Sequence, residues 1–447
     1  MPKILLGAVI CAGFLLGGSA AMAQGLIRDT EIETDIRRMA TPIWQQAGLR
    51  PSDIRVAIIG DDTINAFVAG GQNIFLYTGL ILDTHDIGEL LGVIAHETGH
   101  ITGGHLIRTR QNMEDASMES IIGALAGVAA GVAAGDAGAG MATITATQQM
   151  TMSKLLSNSR TYESSADQAG LSFMERAGYS AEGTAHFLER LAREEMLPEM
   201  QQSQYMLTHP LSQQRLDAVE DFVKRSSVGK KEYPDSYKLM HARIKAKILG
   251  FTTPQTALRT YKDKTDMPSR YGYAIGLYRT GKVKEALDIL VDLQKANPND
   301  PYIQELQGQI LFENGRIAES IPFFQKALED APEAGLIRIA LAHAYLENRN
   351  AHNLPQAIDQ LNRAKTTEYR TSSLFRLLAT AYGRNGQEAQ AKLALAEEAL
   401  LKRDNSFAIY QATTARKMLP ESEKAARQRA SDIIELAQQY QRQKAKN

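Results

Sequence analysis

A period of 34 residues runs through the second half of the chain. Gly281 and Gly315 stand 34 positions apart, and so do Pro298 and Pro332. Repeats of this length are built from two helices joined by a turn, and each unit stacks on its neighbours because it cannot bury its apolar face alone. The spacing therefore predicts an all-α solenoid over residues 270–447.

The residues around these positions specify the type of repeat. In "GQILFENGRIAESIPFFQKALEDAP" the glycines, apolar residues and final proline stand at the offsets of a tetratricopeptide repeat. The preceding unit shares these offsets, a third has a short insertion near "NAHNLP", and a fourth is looser. A last helix follows Pro420. This pattern predicts about four repeats, which either hold a protein partner or brace a neighbouring domain.

The amino terminus is typical of an exported protein. Residues 1–23 combine an early lysine, a short apolar run and a small-residue Ala-Met-Ala ending, which predicts a cleavable signal peptide. The single cysteine, Cys11, lies within it, so the mature protein would have no disulfide. Lys and Arg total 50 against 51 Asp and Glu, a balance that gives no indication of a nucleic-acid partner.

Residues 84–108 have the apolar spacing of a helix. Thr84 can cap its start, and Asp86 stands where the helix dipole favours a negative charge. The core-facing stripe at i, i+3, i+4 and i+7 consists of Ile87, Leu90, Leu91 and Ile94.

This segment contains the H-E-x-x-H motif, residues 96–100. At 100° per residue, His96 and His100 lie roughly 180° and 220° from the first residue of the stripe, so they share the opposite face. His105 returns to the buried stripe and is not predicted to be a ligand. Two neutral imidazoles can bind zinc, and the carboxylate of Glu97 can take a proton from a bound water.

A catalytic zinc needs a third protein ligand, and "SNSRTYESSADQAG" (157–170) contains a candidate. Glu163 and Asp167 stand at i, i+4 and therefore share one helical face. Glu163 can complete a His₂Glu set, whereas Asp167 can accept the outer N–H of a ligating histidine.

Four motifs in this order resemble metallopeptidase family forty-eight, the CAAX-prenyl-protease-like gluzincins, over residues 25–228. They are "NAFVAGGQNIFLYTGLI" (65–81), "AHETGH" (95–100), "SRTYESSADQAG" (159–170) and "THPLSQQR" (208–215). The resemblance implies an α+β zincin fold, mostly helical with a small sheet, ahead of the solenoid. It implies one Zn²⁺ per chain held by His96, His100 and Glu163, with Glu97 as general base. Asn65, in the first motif, is assigned to substrate contact or to support of the ligands.

The remaining motifs leave alternatives open. Residues 73–78 are predicted to form a strand at the sheet edge that pairs with substrate, or else an interior strand. The resemblance implies that His209 is a fourth zinc ligand or a donor to the anionic intermediate, and that Arg215 orients this loop or the intermediate. The Ala/Gly-rich segment 121–150 is predicted to be a hairpin over the site or a packed helical pair, not a membrane span.

The predicted domains are a signal peptide (1–23), a zinc peptidase (24–228), a connector (229–269) and the repeats (270–447). This order is similar to that of periplasmic proteases of Gram-negative bacteria. It implies an endopeptidase that degrades misfolded or stalled outer-membrane proteins and assists their assembly, with the repeats docking on the β-barrel assembly machinery. The alternative is a chaperone or scaffold on that machinery with a largely latent zinc site.

Overall fold

The computed structural model describes residues 25–105, 107, 108, 111, 160–195, 205, 208–348 and 350–446. The chain divides into two compact units, the first ending at Thr252 and the second beginning at Thr253. A mostly helical unit with one small sheet and a unit of helical repeats confirm the predicted fold class. The predicted signal peptide and the segment 121–150 lie outside the described residues. Among the described residues, no helix has the length and apolarity needed to cross a bilayer.

The sheet of the first unit has four strands in the order β1-β2-β4-β3. The strands are β1 (Gly25–Ile27), β2 (Arg55–Gly60), β3 (Ala66–Ala69) and β4 (Asn73–Tyr77). β4 is parallel to β2 on one side and antiparallel to β3 on the other. Of the two alternatives predicted for residues 73–78, the structure has the interior strand, and among the described residues the edge beside it is β3.

A tight turn joins β3 to β4. Gly70 and Gly71 have φ of 59° and 99°, a region that residues with a Cβ rarely adopt. The side-chain amide of Asn73 donates to the carbonyl oxygens of Ala69 and Gly70 at 3.0 and 2.8 Å. These two hydrogen bonds close the turn.

Seven helices contain most of the helical residues described in the first unit, and residues 105, 107, 108, 111, 205 and 208 are also helical. The seven helices are α1 (Thr30–Gln46), α2 (Thr78–Asp83), α3 (Ile87–Gly103), α4 (160–176), α5 (Glu182–Glu195), α6 (Gln213–Arg225) and α7 (Asp235–Thr252). α3 contacts α1, α5 and α7 and the strands β3 and β4, so it lies at the centre of this unit. The protein's single tryptophan, Trp44 in α1, is fully buried in the same core.

α3 is shorter and more buried than its sequence predicted. It begins after Asp86, whose carboxylate accepts from two backbone N–H groups of the first turn, so Thr84 is not the cap. It ends at Gly104, which has a left-handed φ of 62°. Every residue from 87 to 99 is buried, so the face that carries the histidines is covered by protein and not by solvent.

A buried set of charges joins α1 to α7. Glu31 is fully buried and pairs with Arg243 at 2.5 Å and with Lys247 at 3.0 Å. Asp35 lies one turn further along α1 and is 6% exposed. Burial and the nearby Glu31 carboxylate raise the pKa of Asp35 to about 7, although Arg243, Lys247 and Arg38 oppose this.

This raised pKa predicts a pH-dependent stability. Between pH 4 and 7 the folded state keeps a proton on Asp35 that the unfolded state releases. The free energy of unfolding therefore falls over this range, and the stability that the bound proton contributes is lost as pH rises through 7. We expect Asp35→Asn to stabilise the first unit at pH 8 by roughly 2–4 kcal/mol and to change little at pH 4. Urea unfolding followed by Trp44 fluorescence measures this unit alone, and Asp62→Asn, at an exposed position, is the control. Equal gains at both pH values would contradict the assignment.

The second unit consists of helices that pack in antiparallel pairs along the sequence. Its helices are α8 (Pro254–Tyr261), α9 (Met267–Arg279), α10 (Val283–Ala296), α11 (Pro301–Glu313), α12 (Ile317–Asp330), α13 (Gly335–Glu347), α14 (Leu354–Glu368), α15 (Ser372–Arg384), α16 (Glu388–Leu401), α17 (Asn405–Met418) and α18 (Lys424–Lys446). Gly281, Gly315 and Gly386 occupy equivalent turns with φ of 85°, 77° and 73°. A Cβ on Gly308 would stand 2.9 Å from the Phe324 ring, so a small residue is required where paired helices meet. These features explain the predicted period.

Candidate metal centre

Four side chains converge in the first unit. His96 and His100 stand one turn apart on α3, Glu163 comes from α4, and His209 comes from the segment that precedes α6. One ligand atom from each lies within 4.8 Å of all the others. The structure therefore brings the predicted His₂Glu set together and adds His209 to it.

The spacing of these atoms fits a metal ion. His96 Nε2 is 3.0 Å from His100 Nε2, 3.3 Å from His209 Nδ1 and 3.3 Å from Glu163 Oε2. Glu163 Oε1 is 3.4 Å from His100 Nε2, and Glu163 Oε2 is 3.2 Å from His209 Nδ1. Ligands at tetrahedral corners about 2.0–2.1 Å from zinc stand roughly 3.3 Å apart. Nitrogen and carboxylate donors at this spacing can hold such a cation.

Small residues allow α4 to approach α3 closely enough for this contact. A Cβ on Gly99, within the H-E-x-x-H motif, would stand 2.5 Å from the backbone oxygen of Ala166. A Cβ on Gly170 would stand 2.9 Å from the backbone of Ala95. Both glycines are therefore needed for the crossing that brings Glu163 to the histidines.

Asp167 and Arg215 contact the cluster from outside and form ion pairs with its members. Asp167 Oδ1 lies 2.8 Å from His96 Nδ1, the ring nitrogen that points away from the cluster. Arg215 donates to Asp167 through Nε at 2.6 Å and through Nη2 at 2.9 Å. Its Nη1 donates to the carbonyl of Pro210 at 2.7 Å and lies 3.1 Å from Glu163 Oε2. Arg215 thus holds the two carboxylates and the His209 segment in one arrangement.

The electrostatics of the site favour ionised carboxylates. Burial alone would raise the pKa of Asp167, but hydrogen bonds from His96 and Arg215 lower it to about 2. Burial opposes protonation of His96 as well, yet the Asp167 and Glu163 carboxylates raise the pKa of His96 to about 10. The three histidine contacts outweigh burial and hold the pKa of Glu163 well below its usual range. Both carboxylates are therefore ionised, which is the form that can bind a metal ion.

Glu97 lies beside the cluster and not within it. The side chain is 1% exposed, and its Oε1 accepts no hydrogen bond from the described residues. The nearest cluster atom is His209 Nε2, at 3.5 Å. A buried carboxylate oxygen in this state is costly unless another group or a water molecule occupies the space next to it. Asn65 is also buried, at the start of β3, where its carbonyl accepts from the backbone N–H of Tyr77.

Two residues of the site were missed from the sequence. His105, placed on the core stripe by the prediction, instead follows the end of α3, and its Nδ1 lies 3.1 Å from His100 Nδ1. Tyr205 stacks on His209, with ring centroids 4.5 Å apart and an angle of 29°. The pair Gly103-Gly104 was the available signal that the helix stops before His105. No local pattern indicated Tyr205, because its contact is with a residue in a loop.

Comparison with known proteins follows the same division of the chain. Residues 26–223 match the model of Peptidase family M48. They form a peptidase family M48 domain. The predicted family is thereby confirmed, and the matched residues include all four members of the cluster and Glu97.

Two relatives extend the similarity beyond the M48 domain. The beta-barrel assembly-enhancing protease of Yersinia pestis is 26% identical over 389 residues, covering 84% of this chain and 77% of the relative. The protein of the same name from Escherichia coli K12 is 25% identical, covering 83% and 76%. These matches support a protease of the metallopeptidase class.

Other similarities are restricted to one part of the chain. Metalloprotease LoiP of Escherichia coli K12 is 28% identical over 196 residues, covering 43% of this chain and 71% of LoiP. Among solved structures, MamA AMB-1 covers 36% of this chain and 98% of its own, with 18% identity and a TM-score of 0.33.

Proposed function

We propose that this protein is a zinc-dependent endopeptidase of the Gram-negative periplasm that degrades misfolded or stalled outer-membrane proteins. The observation that carries the proposal is the convergence of His96, His100, Glu163 and His209, whose ligand atoms lie within 4.8 Å of one another, beside the buried carboxylate of Glu97. The names of the similar proteases support the choice of β-barrel proteins as substrates. The predicted signal peptide supports a location in the periplasm.

In this proposal His96, His100 and Glu163 hold the zinc. When bound, zinc supplies a Lewis acid that polarises the scissile carbonyl and makes a water molecule easier to deprotonate. Glu97 accepts the proton of the attacking water and returns it to the leaving amine. Asp167 accepts a hydrogen bond from the Nδ1–H of His96 and so fixes the orientation of the His96 ring. Arg215 holds Asp167 in place.

The edge strand β3 is the proposed binding site for the substrate backbone. Among the residues that the structure describes, β3 has a neighbour, β4, on one side only, so its other side can pair with an extended peptide. Its first residue is next to the metal centre, because the carbonyl of Ala66 lies 3.3 Å from His209 Nε2. Main-chain pairing makes few demands on side chains, which suits an enzyme that recognises unfolded segments. Asn65 precedes this strand and would help to position the peptide.

His209 is proposed to occupy the fourth ligand position in the resting enzyme. Its Nδ1 lies within 3.3 Å of His96 Nε2 and Glu163 Oε2, and its backbone N–H donates to Tyr205 O at 2.7 Å. A site with four protein ligands lacks the open position that catalysis requires, so this conformation is latent. After displacement from the metal, the same imidazole is available as a donor to the anionic intermediate.

The closed cluster also favours a second candidate function. A protein whose zinc is capped by His209 can act as a chaperone or scaffold, with residues 270–447 docking on the outer-membrane assembly machinery. In that case the metal would contribute mainly to the stability of the peptidase domain, which we assign to residues 24–228. Residues 229–269 would serve as the connector.

Metal removal tests the proposed function. We expect 1,10-phenanthroline to abolish cleavage of an unfolded β-barrel outer-membrane protein and added Zn²⁺ to restore it. The matched control is 1,7-phenanthroline, which has the same size but cannot chelate. The folded form of the same substrate should remain intact. Cleavage that persists in the chelator would contradict the metal mechanism, whereas zinc binding without any cleavage would favour the chaperone or scaffold function.

A further inference from the structure

The two histidines of the H-E-x-x-H motif have different partners on their outer nitrogens. His96 Nδ1 contacts the carboxylate of Asp167 at 2.8 Å. His100 Nδ1 contacts His105 Nδ1 at 3.1 Å, with the two rings at 83° to each other. Metal-binding imidazoles usually need such a partner, which fixes the tautomer and the ring orientation.

The contact between two Nδ1 atoms determines where the protons lie. His100 presents Nε2 to the cluster, so a neutral His100 that gives this lone pair to a metal carries its proton on Nδ1. That N–H donates to His105, whose Nδ1 must then be an acceptor. The proton of neutral His105 is therefore on Nε2.

His105 is held in this orientation by its surroundings. The ring is 4% exposed and stacks on Tyr162, which precedes Glu163, with centroids 4.7 Å apart and an angle of 17°. Gly104 turns the chain back at the end of α3 with its left-handed φ of 62°. A Cβ on Gly103 would stand 2.2 Å from His105 Nε2, so only glycine leaves room for the ring. These contacts come from both helices that carry the cluster.

We propose that His105 is a positioning residue that fixes His100 as a metal ligand by accepting a hydrogen bond from its Nδ1–H. The inference rests on the proposed metal centre and extends it. The two histidines then have different hydrogen-bond acceptors at Nδ1. The acceptor for His96 is an ionised carboxylate, and the acceptor for His100 is a neutral imidazole. His105 does not itself touch the metal or the substrate.

Two substitutions separate the hydrogen bond from the packing. His105→Phe keeps a ring against Tyr162 and removes the acceptor, whereas His105→Asn loses the ring but places an oxygen where Nδ1 stood. We expect His105→Phe to weaken Zn²⁺ binding by roughly 10- to 100-fold and His105→Asn to restore most of that loss, as for other partners of ligating histidines. Competition with a chromophoric chelator measures the affinity without any need for activity.

Unfolding of the metal-free proteins, followed by Trp44 fluorescence, shows whether each variant is folded. Folded His105→Phe with the parental Zn²⁺ affinity would overturn the positioning role and leave the proposed function intact. Equal weakening in folded His105→Phe and His105→Asn would also overturn it, because the acceptor would then be irrelevant. A parent protein that binds no Zn²⁺ would overturn the metal centre together with this inference.

Discussion

Replacement of Glu97 by glutamine should lower kcat/KM for an unfolded substrate by about 10²- to 10⁴-fold, the usual contribution of general acid–base catalysis. Glutamine has nearly the shape of glutamate and remains polar, but it cannot accept the proton of the attacking water. Zinc content should be unchanged, because Glu97 is not among the four side chains of the cluster. The measurement pairs a quenched-fluorescence cleavage assay with metal analysis of the same preparation.

The control for this prediction is Glu182→Gln, which makes the same chemical change at an exposed position on α5. It should retain both zinc and parental activity. Loss of zinc in Glu97→Gln would show that the carboxylate supports the metal site and would remove the basis for calling it a general base. Full activity with full zinc would contradict the hydrolytic mechanism outright.

The two pairs of candidate ligands and supporting residues were predictable because their spacing depends on local helical geometry. His96 and His100 are separated by one turn, as are Glu163 and Asp167, and the structure places each pair on one face. The surroundings of the helix were not predictable in the same way. The apolar stripe of α3 shows that one face of the helix is buried. It does not show that α4 covers the opposite face.

Errors and open alternatives in the prediction arose where long-range contacts determine the structure. The residues of β4 fit a strand well, yet only pairing with both β2 and β3 shows that it is interior. The end of α3 was missed because apolar residues at 106 and 107 continue the helical pattern past Gly103 and Gly104. The contact of His209 with the cluster was not an error, but it was implied only by the resemblance to the family. It joins residues 113 positions apart, and helical periodicity contains no information about it.

The repeats were predictable for the opposite reason. Each helix of the second unit packs mainly on the helices next to it in sequence, so the spacing of small residues reflects the contacts directly. Gly281 and Gly315 marked the turns, and their left-handed backbone explains why glycine recurs there. The side chains of a partner-binding surface do not follow this repeat spacing. The sequence therefore does not predict which partner the repeats bind.

Removal of the His209 imidazole should raise cleavage by roughly 10- to 100-fold, if open molecules are a minor state of about 1–10%. In the structure His209 Nδ1 lies 3.3 Å from His96 Nε2 and 3.2 Å from Glu163 Oε2, which is where the proposed fourth ligand would stand. His209→Ala leaves three protein ligands and an open site, which is the arrangement of catalytic zinc centres. Zn²⁺ affinity should fall, so the assay requires saturating metal.

The direction of the change distinguishes the roles of His209. Faster cleavage by His209→Ala shows that the imidazole blocks the resting site. Slower cleavage with zinc retained shows that hydrogen-bond donation to the anionic intermediate is the larger effect of His209. Thr208→Ala, in the same segment but exposed, is the matched control for general loosening of the loop. If parent, His209→Ala and control all bind zinc and none cleaves, opening the site has not produced an enzyme. The repeats would then carry the function, as a chaperone or scaffold requires.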